Sequence, residues 1–176
     1  MESPPTETRH CNDAVVLAAQ HVKDEGLHEK KVLLVISDGE DNQSKHKLKE
    51  VVTALQESKI IVYTVGLLRS DSDSIFADEA KKALKQMAEA GGGASFFPKN
   101  SNDVEEVCRR IARELRHQYT IGYRPSNEKL DGAWRKVIVR VNPPKTITKI
   151  SVHTKKGFYA PVAYETQVAS QQRVEL

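Results

Sequence analysis

Cysteine is scarce in this chain, and the two that occur, Cys11 and Cys108, are far apart. They form no Cys-x-x-Cys pair, which removes a zinc ribbon and a disulfide framework. Two ordinary thiols are expected, with a single bridge between them as the alternative. Long apolar runs are missing as well. No stretch reaches the roughly 18 apolar residues that a membrane-spanning helix needs. The opening MESPPTETRH has no apolar h-region, so no secretory signal is expected there. Charge of one sign is weak: 27 Lys and Arg stand against 24 Asp and Glu. Without a long basic block, nucleic-acid binding is not expected. Short clusters such as Lys45–Lys49 and Arg109-Arg110 fit the solvated face of a helix. Nor is there a Gly-x-Ser-x-Gly elbow or a Walker loop, so the common hydrolase and nucleotide-binding signatures are absent.

The 176 residues, 39% of them hydrophobic, suffice for one packed domain with at most a small appendage. Its organising stretch is Val32–Asn42, reading VLLVISDGEDN. Five apolar residues, three of them β-branched, precede a carboxylate-rich turn. Such a run predicts a strand, Val32–Ser37, buried on both faces. In an open α/β sheet, ligands bind beyond the carboxyl ends of the strands. Ser37, Asp38, Glu40, Asp41 and Asn42 stand there, and all are oxygen donors of the kind that Mg²⁺ and Ca²⁺ take. The spacing is not that of an EF-hand loop, because Gly39 directly follows the first acid.

Residues 1–12, with Pro4 and Pro5, predict an irregular lead-in. Asp13 is placed to cap a helix whose apolar positions run through Ala14, Leu17, Ala18 and Val22 towards Gly26. His21 and His28 have no third ligand at a compatible spacing and read as surface histidines. A second helix is expected from about Lys45 to Ser58, with Ser44 as its cap and Leu48, Val51, Val52 and Leu55 on one face. Ile60–Leu67 predicts a second buried strand. A polar loop, Arg69–Ser74, leads to a helix from about Ile75 to Ala90, closed by Gly91-Gly92-Gly93. The triplet follows a helix and precedes a strand, the reverse of a phosphate loop. Ala94–Pro98 predicts a third strand, and Ser101–Arg116 a helix with Val104, Val107, Cys108, Ile111 and Leu115 buried. This alternation argues for a parallel sheet with right-handed crossovers. After His117 the pattern changes. Gln118–Tyr123, Trp134–Val141 and Ile150–Thr154 alternate between turn residues and predict an antiparallel β extension, its aromatics Tyr119, Tyr123, Trp134, Phe158 and Tyr159 forming a core. The expected division is a lead-in at 1–12, an α/β domain at 13–117, a β extension at 118–161 and a polar tail at 162–176.

Several segments in this order resemble the von Willebrand factor type A domain, in particular the bacterial form known as the VWFA-related domain of Acidobacteria. They are Asp13-Ala14-Val15, KVLLVISDGED at 31–41, IVYTVG at 61–66, AGGGASFFP at 90–98, IARELRHQYTIGY at 111–123, Trp134–Val141 and KGFYAP at 156–161. The resemblance implies a doubly wound, Rossmann-like parallel sheet flanked by helices, and adhesion or protein–protein interaction rather than catalysis. It also implies a secreted or periplasmic setting. Many members hold a divalent cation in a metal-ion-dependent adhesion site built from three loops: an Asp-x-Ser-x-Ser turn, a Thr, and an Asp. Asp38 matches the third-loop Asp. The second-loop Thr position falls on Arg9, with Thr8 one residue away. No Asp-x-Ser-x-Ser lies upstream, and Asp71-Ser72-Asp73-Ser74 follows the wrong strand.

Only twelve residues precede Asp13, where family members carry their first strand, a helix and an edge hairpin. The fold expected is therefore a partial one, N-terminally truncated, with Val32–Ser37 beside an open sheet edge and prone to self-association. Cation binding (Mg²⁺, or Mn²⁺ or Ca²⁺) rests on Asp38, with Glu40, Asp41 and Thr8 as weak helpers. Arg9 opposes it by charge. The expected function is a protein-interaction module with a degraded cation site and a protein partner. The alternatives are a small hydrolase or signalling domain using Asp38, or a non-functional fragment.

Overall fold

The computed structural model describes residues 9–28, 30–68, 75–146 and 150–162. The elements run α1 (Cys11–Glu25), β1 (Lys31–Ser37), α2 (Leu48–Glu57), β2 (Ile60–Gly66), α3 (Ile75–Gly91), β3 (Ser95–Phe96), α4 (Ser101–Arg116), β4 (Trp134–Lys136) and β5 (Gly157–Tyr159). The first three strands form a parallel sheet in the order β1-β2-β3, with Lys31 opposite Ile60 and Ser37 opposite Gly66. The parallel α/β architecture expected from the alternating pattern is present.

Sheet pleating sends alternate β2 residues to opposite faces. Ile60 and Val62 pack with Val15 and Ala19 of α1, Val51 and Leu55 of α2, and Met87 and Ala90 of α3. Tyr63 and Val65 pack on the other face with Phe96 and Ile111, and with Val107 and Leu115 of α4. Val51, Leu55 and Val62 are wholly buried, so truncating Leu55 to Ala would cost about 2–5 kcal/mol. The Thr64 hydroxyl, buried in this layer, is satisfied by donating to the Leu84 carbonyl at 3.2 Å.

β2 is buried almost throughout, as its unbroken apolar sequence predicts. β1 is not. Its inner residues Leu33 and Val35 pack on the first core, but Leu34 is 44% and Ile36 58% exposed. β1 pairs with β2 alone among the described residues, so it is a sheet edge. α4 covers β2 and β3, and on the outer face of β1 only Val32 packs against that cluster, leaving Leu34 and Ile36 open.

Two helix starts differ from expectation. α1 begins at Cys11, so Asp13 lies in its first turn rather than capping it. α2 begins at Leu48, later than the predicted Lys45. The cause is a long-range exchange of hydrogen bonds, described below. α4 matches its predicted span, because the Asn100 side chain accepts from the Asp103 N–H at 3.0 Å. Its stripe is narrower than expected: Ile111 is buried, whereas Cys108 is exposed, and both cysteines are free thiols.

Gly92 closes α3 with φ +76°, the left-handed turn expected of the triplet. The β extension is smaller than its alternating sequence suggests. β4 and β5 pair antiparallel, Trp134 opposite Tyr159, whereas Gln118–Tyr123 and Ile150–Thr154 form no strand. Alternation supplies a half-apolar face but not a neighbour. Trp134 meets Tyr159 edge-on at 4.8 Å and Tyr123 meets Phe158 at 6.3 Å, but Tyr119 is 92% exposed rather than in a core. The polar loop predicted at Arg69–Ser74 and the tail beyond Val162 lie outside the described residues.

Candidate functional site

Three parallel strands end on one side, and the turn after β1 lies there. Ser37 and Gly39 start it: the Ser37 hydroxyl accepts the Gly39 N–H at 3.0 Å. Gly39 has φ +76°, and a Cβ there would stand 2.9 Å from the Ala80 carbonyl oxygen, so glycine is required twice over. Asp38 Oδ1 accepts the Glu40 N–H at 3.2 Å, a tight Asx turn.

The remaining Asp38 oxygen, Oδ2, lies 2.8 Å from Arg9 Nη1, and the same nitrogen also bonds Glu40 Oε2. The backbone holds Arg9 to the turn on two sides. Its N–H donates to Asn42 Oδ1 at 2.8 Å, and its carbonyl accepts from Asn42 and Gln43, each at 3.2 Å. The turn therefore wraps the residue that carries its counter-charge. Both carboxylates and the guanidinium are partly open to water, a setting in which an ion pair contributes about 0–1 kcal/mol. The pairing thus organises the surface more than it stabilises the fold.

Asp41 turns the other way. Its Oδ2 accepts the Asn12 N–H and the Ser44 hydroxyl, both at 2.6 Å, and its Oδ1 accepts the Ser44 N–H at 3.1 Å. Ser44 Oγ in turn accepts the Asp13 N–H at 3.1 Å. The exposed N–H groups of the first turn of α1 are thus capped from a loop some thirty residues away. Asp13 returns the favour: its carboxylate accepts the Lys45 and His46 N–H groups, each at 3.0 Å. That exchange explains why α1 starts early and α2 late.

Cys11 sits half-buried behind this turn. Burial pushes its thiol up, and the charges of Asp41 and Asp38 add to this against a hydrogen bond with Ser37. A protonated thiol is a poor nucleophile and a poor metal ligand. Arg9, His10, Cys11, Ser37, Asp38 and Glu40 line an open depression of about 570 Å³.

Of the residues expected to hold a cation, Asp38 and Glu40 come together, on Arg9. Asp41 is committed to α1, and Thr8 lies outside the described residues. No three His, Cys, Asp or Glu side chains gather as a metal site among the described residues. Among the described residues the donor set, one Asp and one Glu already paired with a guanidinium, does not fit a resident divalent cation. The sequence signalled Arg9 only as a misfit at the second-loop position. Its pairing with Asp38 is a contact across 29 residues that no local pattern encodes.

The sequence profile described as von Willebrand factor type A domain matches residues 1–110. Among solved structures, the chain is similar to an aerotolerance-related membrane protein from Bacteroides fragilis NCTC 9343 with multiple mutations to serines. That alignment has 18% identity and a TM-score of 0.43, and covers 64% of this chain and 64% of that one. No curated protein sequence is matched. No helix among the described residues is long and apolar enough to cross a membrane.

Proposed function

Because the chain belongs to the von Willebrand factor type A family, matched over residues 1–110, we propose that it is a protein–protein interaction module whose contact surface is the carboxyl edge of the sheet around Asp38. In the family manner Asp38 would help hold a divalent cation. Here the Arg9 guanidinium, 2.8 Å from Asp38, supplies the positive charge in its place. That ion pair is the observation that carries the reading. The partner binds a surface organised without Mg²⁺, Mn²⁺ or Ca²⁺; the cation binding expected of Asp38, Glu40 and Asp41 gives way to the Arg9 pair and to the Asp41 cap on α1. The partner is a protein, and the open edge of β1 is a second contact surface, where copies of the chain associate. No catalytic step is assigned to Asp38.

Thermal melting with and without Mg²⁺ at about 1 mM, the weak-site range, tests this. The wild type should not respond. Arg9→Ala exposes two carboxylates and should gain an Mg²⁺-dependent rise in Tm that a further Asp38→Asn change removes. A wild-type response to Mg²⁺ that Asp38→Ala abolishes would restore a cation site and overturn the reading.

A further inference from the structure

We infer that β1 is a homodimer interface, in which two copies pair their β1 strands antiparallel about Leu34 to make one continuous sheet. The inference rests on reading the chain as an interaction module and specifies its second surface. The Leu67 N–H donates to the Ser37 carbonyl at 2.9 Å, so the Ser37 peptide groups face β2. Alternate residues of a strand aim their backbone groups to opposite sides. Val32, Leu34 and Ile36 therefore aim N–H and C=O at the free edge, where no strand or backbone group among the described residues meets them. This edge has none of the usual protections. It contains no proline, its only charge is at its first residue, Lys31, and its outer face exposes Leu34 and Ile36.

Charge selects the occupant and its direction. Lys30 and Lys31 stand at one end of the strand. At the other, among the described residues, Asp38 and Glu40 outnumber the Arg9 that they share, leaving that turn net negative. Centred on Leu34, the antiparallel register sets Leu34 opposite its own copy on the two-fold axis, and Val32 opposite Ile36 and Lys30 opposite Asp38, these last two pairs each occurring twice. In-register parallel pairing would instead stack Lys30 on Lys30 and Asp38 on Asp38. The antiparallel pair is also closed by its two-fold axis, so growth stops at two. It joins the exposed apolar residues of both copies into one stripe of cross-strand contacts.

Sedimentation of the full chain should give a dimer. Ile36→Lys and, separately, Leu34→Lys should give folded monomers, since both positions are exposed. For the register, Leu34→Cys should form a disulfide-linked dimer on mild oxidation. Directly opposed Cα atoms in such a pair are about 5.5 Å apart, within disulfide range. Ile36→Cys, which faces Val32, should not cross-link. A wild-type monomer at every concentration would overturn both the interface and self-association, and leave the Asp38 surface as the place for a foreign partner. A dimer that survives both Lys variants, cross-links through Ile36→Cys but not Leu34→Cys, or grows without limit would overturn this interface while leaving self-association standing.

Discussion

His46 meets Asp13 twice at one oxygen: its backbone N–H donates to Oδ1 at 3.0 Å, and its ring Nδ1 lies 2.7 Å from the same atom. With the Lys45 N–H on the other oxygen, the carboxylate ties the start of α1 to the loop entering α2. The backbone bonds from Lys45 and His46, then the His46 side chain, hold the Asp13 carboxyl at about 2, below its ordinary 3.8. The sign follows from linkage. A carboxyl whose folded pKa is depressed contributes stability that is present above the unfolded pKa and lost as pH falls through the folded one. The wild type should therefore lose stability between about pH 4 and pH 2 more steeply than Asp13→Asn. Acid titration followed by circular dichroism checks this; superimposable acid limbs would mean that the tie contributes nothing.

Gly92 gives a second expectation. Its φ is +76°, and an added Cβ would stand 2.5 Å from the Lys155 backbone nitrogen. Gly92→Ala therefore meets a strained conformation and a clash at once, and should cost about 1–3 kcal/mol in chemical denaturation. Gly122 is the control. A Cβ there meets nothing within 4 Å, so Gly122→Ala should stay within about 0.5 kcal/mol of wild type.

Lys155 anchors the segment before β5 to the end of α2. Its ammonium donates to the carbonyls of Leu55 at 3.0 Å and Gln56 at 3.3 Å, and to that of Ser58. Burial pushes the group down to about 8, and the three carbonyls offset that cost. Lys155→Ala strands those acceptors, so the midpoint of thermal unfolding should fall, with a loss of about 1–3 kcal/mol. An unchanged midpoint would mean that water replaces the ammonium without cost.

These ties mark the boundary of what the sequence could reveal. β2 and α4 were legible because their signals are local: an unbroken apolar run, and an apolar stripe at helical spacing that opens at Ser101. The starts of α1 and α2 were not, since α1 is capped, and the loop entering α2 is held, by residues about thirty positions away. The apolar run of β1 was legible as a strand but not as an edge, because composition cannot say whether a face is covered. In the site, Asp38 was legible from its place after a strand, whereas the role of Arg9 needed the fold. Gln118–Tyr123 alternates convincingly and still pairs with no strand among the described residues, since a strand needs a neighbour.

The two aspartates of the turn should separate binding from stability. Asp38 makes a turn contact and a partly solvated ion pair, worth together about 1 kcal/mol. Asp41, three residues on, holds the Asn12 N–H and both polar groups of Ser44. Its loss uncaps α1 and leaves Ser44 without the bond that orients it towards Asp13, so Asp41→Ala should cost about 1–2 kcal/mol. Asp38→Ala should lower Tm the less of the two, while doing more harm to binding of a protein partner. The family resemblance ranks Asp38 first, and the proposed contact surface expects that order for recognition; for folding the order should reverse. Paired melts of the two variants decide it. If Asp38→Ala proves the more destabilising, the Arg9 ion pair is a structural tie and not a surface feature.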